Sequence, residues 1–110
     1  MHANYKDAIV AAEATGTWVL NKRATPCIRA LKTDYTEPMH TSGLLAADAF
    51  AGIQQVYFGG DMNAAPALAG QSAGLIHAVK PVQSIIEDTV AEFFAISERM
   101  ARMAAARQFG

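Results

Sequence analysis

From Pro81 onward the chain carries an apolar stripe at helical spacing. Val82, Ile85, Ile86, Thr89, Val90, Phe93, Ile96, Met100 and Met103 recur every three or four residues. Proline is tolerated in a first helical turn, where its missing N–H would be unpaired anyway. Glu87, Asp88 and Glu92 lie toward the start of this segment and Arg99, Arg102 and Arg107 toward its end, the order of sign that a helix dipole favours. The pattern predicts a long terminal helix. A stripe of this width, with Phe93 and Phe94 in it, demands a broad surface to cover it, and core packing is the default use for such a surface ahead of a cofactor or lipid role.

Immediately before it stands a run of small residues, Ala67-Leu-Ala-Gly-Gln-Ser-Ala-Gly-Leu-Ile76. Gly70 to Gly74 matches G-x-S-x-G, the nucleophile elbow that exposes a serine on a strand-to-helix turn. That chemistry needs a preceding strand, then an acid and a histidine after the serine. Residues 63–69 are alanine-rich and interrupted by Pro66, His77 is the last histidine, and no acid lies between Ser72 and His77. The order required of a serine hydrolase is absent. The alternative is steric: glycines four apart let another backbone or a flat ligand approach closely. Gln71 offers an amide donor and a carbonyl acceptor and Ser72 a hydroxyl, which suit either the edge of a polar heterocycle or a neighbouring loop.

Earlier in the chain, Asn4 is placed to cap a first helix with Tyr5, Ala8, Ile9 and Ala12 on one face, stopped by Thr15-Gly16. Thr17–Leu20 and Cys27–Thr33 are rich in strand-favouring types, with a polar connector between them, and predict a small hairpin whose Trp18, Leu20, Ile28 and Leu31 need covering. Residues 34–43 hold turn formers without periodicity and read as loop. Leu45, Ala49, Ile53 and Val56 form a helical stripe, broken by Gly59-Gly-Asp-Met-Asn63, and Pro66 opens a short helix over Ala67–Ala69.

At 110 residues, 52% apolar and 17% charged, the composition is that of one globular domain with an alanine-rich core. A net charge of -1 without a Lys/Arg cluster argues against nucleic acid and anionic membrane partners. Arg23, Arg29 and Lys32 form only a thin basic set, read as a solvated face. His2, His40 and His77 lack ligand-spaced partners, so no metal site is assigned. Neither a dinucleotide fingerprint nor a P-loop is found. Cys27, the one cysteine, excludes an intrachain disulfide and fits a reducing compartment. No apolar run reaches a membrane span and the first residues lack a secretory signal's hydrophobic region, so a cytoplasmic setting is expected.

Asn4-Tyr-Lys6, the 17–20 and 28–31 hairpin, Gly60-Asp61, Ala69-Gly-Gln-Ser-Ala-Gly-Leu-Ile76, Pro81-Val82 and Ile85-Ile86 occur in an order that resembles the C-terminal part of the nitronate monooxygenase (2-nitropropane dioxygenase) family. That family includes the flavin-type enoyl-ACP reductases. The resemblance implies an α+β, mainly helical fragment with a small β-hairpin, belonging to an enzyme about three times longer, built on an FMN-binding (β/α)8 barrel. It divides the chain into a small helical and hairpin subdomain, residues 1–66, and residues 67–110, a glycine-rich segment and terminal helix that pack on a barrel absent from this chain. This would account for an apolar stripe wider than the preceding residues comfortably cover.

The chemistry implied is FMN reduction, by a nitronate or by a reduced nicotinamide cofactor, followed by oxygen or enoyl chemistry. The catalytic groups of such barrels sit at strand ends that this chain lacks, so no catalytic residue is assigned. Gln71 and Ser72 are the candidate cofactor-binding residues, and the isolated chain is not expected to bind FMN tightly. The implied partners are the barrel portion, a small-molecule substrate in the complete enzyme, and a second copy through the terminal helix. The reading from another class is an autonomous, non-catalytic helical interaction module. Dye binding and aggregation by the isolated chain point to the first, and a sharp thermal transition to the second.

Overall fold

The computed structural model describes residues 1–107; residues 108–110, the end of the expected 67–110 segment, lie outside the described residues. The chain divides into two compact units, Met1–Val79 and Lys80–Gly110.

The first unit opens with α1, Ala3–Ala11. Its cap is His2, not Asn4: the His2 Nδ1 accepts the Asn4 backbone N–H at 3.1 Å. The helix starts earlier than expected because the His2 backbone N–H is tied to the Tyr57 carbonyl at 2.6 Å. The Asn4 side chain is thereby released to donate to the Gly60 carbonyl, 2.9 Å away. Gly60 adopts φ +77, and a Cβ there would run into the His2 ring, so this corner requires glycine on both counts.

Strands β1, Thr17–Leu20, and β2, Ile28–Leu31, form the expected hairpin, antiparallel, with Trp18 opposite Ala30 and Leu20 opposite Ile28. Strand alternation separates their side chains. Trp18, Leu20, Ile28 and Ala30 join Met39, Ala49, Tyr35 and Leu45 in one apolar cluster. Leu31 points the other way and joins Tyr5, Val56, Ala65 and Ala67. The hairpin is thus buried on both faces, which supplies the surface a two-stranded ribbon needs for stability.

Between the clusters the sequence reading needs three corrections. Residues 34–43 are not all loop: α2, Glu37–Ser42, packs on β1, with Pro38 in its first turn and Gly43 closing it at φ +77. The stripe Leu45, Ala49, Ile53 and Val56 is not one helix. Turns fill residues 47–52, helical geometry begins at Ile53, and Gln55–Gly59 is a π turn. The break has a packing reason, because Leu45 and Ala49 serve one cluster while Ile53 and Val56 serve the other. Finally, Ala67–Ala69 is extended rather than helical. The Leu31 N–H donates to the Ala67 carbonyl at 2.8 Å, and the Ala69 N–H donates to the Arg29 carbonyl at 3.3 Å. The open edge of β2 outweighs the local helical preference by pairing with this segment, bridged at Ala30 and Leu68.

The second unit holds α3, Val82–Ala106, a 25-residue helix with Pro81 at its N-cap. No acidic residue lies in its first turn and no basic residue in its last. At the N-terminal end the expected match to the helix dipole is therefore set a turn inside, where it weakens, whereas at the C-terminal end Arg107 stands at the cap itself. Lys80 instead reaches Asp88 at 2.9 Å, and this contact raises the Lys80 pKa. The apolar stripe is exposed: Phe93 at 65%, Met100 at 62% and Ile86 at 58%. No described helix is long and apolar enough to cross a membrane.

Candidate functional site

The glycine-rich run is built as a strand-to-turn junction. After the bridge at Leu68 the chain passes Gly70 in extended geometry and enters a 3-10 turn, Gln71–Leu75. Two contacts fix it from below. The Tyr5 hydroxyl donates to the Leu68 carbonyl oxygen at 2.5 Å. Gly74 lies against the backbone that follows α1, so close that an added Cβ would stand 2.6 Å from the Glu13 carbonyl oxygen and 2.7 Å from the Ala14 Cα. Ala73 is buried beneath the turn, whereas Gln71 and Ser72 are exposed on it.

The steric reading of the two glycines is therefore half realised. Gly74 admits another backbone, as expected of a position that cannot carry a side chain. Gly70 faces open space, with the Ser72 Oγ at 3.9 Å the nearest atom to an added Cβ. Its backbone is free for a flat ligand to approach, and the Gln71 amide and Ser72 hydroxyl stand beside that opening.

The extended segment before Gly70 does give the strand-then-turn geometry that the residue types concealed. The serine-hydrolase order is still unmet, because no acid lies between Ser72 and His77, the last histidine.

Tyr5 was placed by periodicity only on the buried face of α1, and its role in the junction was missed. The signal available was its phenol, an apolar ring with a polar end that seeks a partner when buried. The ring stacks on Tyr57 with centroids 4.9 Å apart, and the two hydroxyls lie 3.5 Å apart. Burial first, and the Tyr57 phenol second, push the Tyr5 pKa well above its ordinary value.

The remaining candidates are dispersed. His40 stacks on Trp18 at 4.4 Å with its Nδ1 3.2 Å from the Val19 carbonyl, and His2 caps α1. Among the described residues no cluster of His, Cys, Asp or Glu could hold a metal ion. The basic set also separates: Arg29 donates to the Thr17 hydroxyl at 3.1 Å, and Lys32 lies over the Trp18 ring at 5.4 Å. An open cleft of about 380 Å³ lies between the end of α1 and the end of β2, lined by Ala12, Glu13, Thr15, Leu31, Lys32 and Met62. A second, of about 720 Å³, lies beside α2. Gln71 and Ser72 line neither.

No family model and no curated protein matches the chain. Among solved structures, a point mutant of FabK from Thermotoga maritima superposes with a TM-score of 0.78 at 29% identity, over 93% of this chain and 32% of that one. FabK itself from Thermotoga maritima gives 0.77 at 29% identity, over 93% of this chain and 34% of that one. The chain is similar to part of FabK. It spans about a third of the length of FabK, and the match includes nearly all of the present fold, helices and hairpin together.

Proposed function

We propose that this chain is the C-terminal portion of an FMN-dependent oxidoreductase of the class that joins flavin-type enoyl-ACP reductases and nitronate monooxygenases. The observation that carries the reading is the likeness to FabK over 93% of the chain at 29% identity, with the glycine-rich junction built as a 3-10 turn that exposes Gln71 and Ser72. Within the class, oxidation of alkyl nitronates with O2 is the activity first expected from the residues, and enoyl reduction is the one the FabK likeness favours. The substrate is a small molecule or acyl chain held mainly by the barrel portion, which is the partner of this chain, and a cytoplasmic setting accompanies it.

Bound FMN would supply two-electron transfer. The residues present fit one wall of its site and no more. Gly70 leaves the backbone unobstructed, and Gln71 and Ser72 offer donors and an acceptor to a heterocycle edge. Their part is to bind and orient. Tyr5, through the Leu68 carbonyl, holds the turn at its height above β2.

The test is the intact mass of the polypeptide in its native source together with its visible absorption spectrum. A mass about three times the 11.7 kDa of this chain, with flavin bands that weaken in a Gln71→Ala variant, is expected. A mass near 11.7 kDa with no flavin at saturating FMN would overturn the reading in favour of a non-catalytic module.

A further inference from the structure

The apolar cluster around Met39 is open on one side. Met39 is buried in it, Tyr35 and Leu45 pack against it, and the same three residues line the open groove of about 720 Å³ beside α2. Pro38 and the exposed Leu44 carry the apolar lining outward, on either side of the reversal that Gly43 makes at φ +77.

The two charged residues that line this groove are both acidic. Asp34 enters from the segment before α2, and Asp48 from the turns that follow it. The Tyr35 hydroxyl donates to the Ala49 carbonyl at 3.1 Å, which ties the residue after Asp34 to the residue after Asp48 across the length of one tyrosine side chain. The two carboxylates therefore belong to separate segments whose spacing is fixed by that bond. The ion pairs among the described residues join Lys80 to Asp88 and Arg102 to Glu98, so neither groove carboxylate is matched by a cation. Arg23 lies against Gly43 but does not line the groove.

We propose that this groove binds an aliphatic diamine, a short methylene chain with an ammonium group at each end. Cation, methylenes and second cation along the ligand complement carboxylate, apolar lining and second carboxylate along the groove. Both aspartates are exposed, so each ammonium keeps part of its water and escapes the desolvation that penalises a buried ion pair. The methylenes displace water from Met39 and Leu45. Tyr35, anchored through its hydroxyl, adds an aromatic surface that favours an organic cation. The volume falls in the range of small-molecule sites, about 300–1,000 Å³. Among the described residues no cluster of His, Cys, Asp or Glu could hold a metal ion, which sets an organic cation ahead of a bare one.

The inference stands on the first unit alone and does not require the flavin reading. Its test is a proton–nitrogen NMR titration of the full chain with diaminobutane at neutral pH and low salt, beside aminobutane and butanediol. The diamine is expected to shift the backbone amides of Asp34, Tyr35, Leu44, Leu45 and Asp48, with a Kd on the order of 1 mM. The monoamine should bind about threefold more weakly, and the diol should leave these amides in place. Asp34→Asn and Asp48→Asn keep the side-chain shape at exposed positions, and each should weaken the diamine about threefold, the double variant about tenfold. The remaining amides report in the same spectra that each variant is folded.

An unmoved groove at about 20 mM diamine, equal binding of the monoamine or the diol, or an affinity that neither variant changes would overturn the proposal. Shifts confined to Glu87, Asp88 and Glu92 of α3 would mean that the diamine meets any acidic surface, and the proposal would fail equally.

Discussion

The Tyr5 hydroxyl and the Leu68 carbonyl oxygen, 63 residues apart in sequence, meet at 2.5 Å. This bond joins the first helix to the segment that carries the glycine-rich turn. Tyr5→Phe keeps the ring stacked on Tyr57 and removes only the donor. The expected loss is about 1 kcal/mol. Urea unfolding of parent and variant at neutral pH measures it.

The same residue sets an alkaline limit. The folded phenol titrates above its ordinary value of about 10, so above that pH the unfolded chain loses a proton that the folded chain retains. The folded state then binds more protons, and its stability falls as pH rises. The contribution is complete below about pH 10 and declines above it. In denaturant titrations from about pH 8 to 11, the parent should lose stability more steeply than Tyr5→Phe. Parallel slopes would refute the assignment.

Gly74 and Gly70 should respond differently to the same methyl group. Gly74→Ala drives a Cβ into the Glu13 and Ala14 backbone and is expected to cost about 1–3 kcal/mol. Gly70→Ala meets open space and an ordinary backbone conformation, with an expected change within about 0.5 kcal/mol. Thermal midpoints of the two variants decide whether the glycines act as a pair.

Thr36 is fully buried, and its Oγ1 accepts from the Trp18 indole N–H and from the Thr33 backbone N–H, each at 3.0 Å. It also donates to the Leu31 carbonyl at 3.0 Å. Thr36→Val preserves shape and strands all three partners, at an expected cost of about 2–3 kcal/mol. Trp18 is the single tryptophan, so its emission reports the site directly and should move to the blue as its N–H loses a partner.

The sequence was legible where one local rule and the tertiary demand agreed. β1 and β2 appeared where strand-favouring residue types gather, and α3 where eight apolar side chains and Thr89 keep helical spacing. It was misleading where they disagreed. Ala67–Ala69 has helix-forming composition, yet β2 needed an edge partner, and no local signal encodes that need. Six-residue α2 is too short to show periodicity, and only Pro38 near its start and Gly43 past its end betray it. The candidate turn was legible as glycines and polar groups, and Gly74 serves as a close approach. What the residues could not convey was that Gly70 is open, or that Tyr5 braces the segment from the other end of the unit.

That brace makes the turn dependent on distant parts of the chain. The Gln71–Leu75 turn is held by α1 and by β2, so its shape exists only once contacts spanning more than sixty residues have closed. Contacts so distant in sequence pay their loop entropy before they return any stability. The turn is therefore a product of the whole first unit rather than of its own five residues. Cutting away the first five residues would erase it as surely as altering the turn itself, so the polar groups at Gln71 and Ser72 are displayed only by a chain that has finished folding.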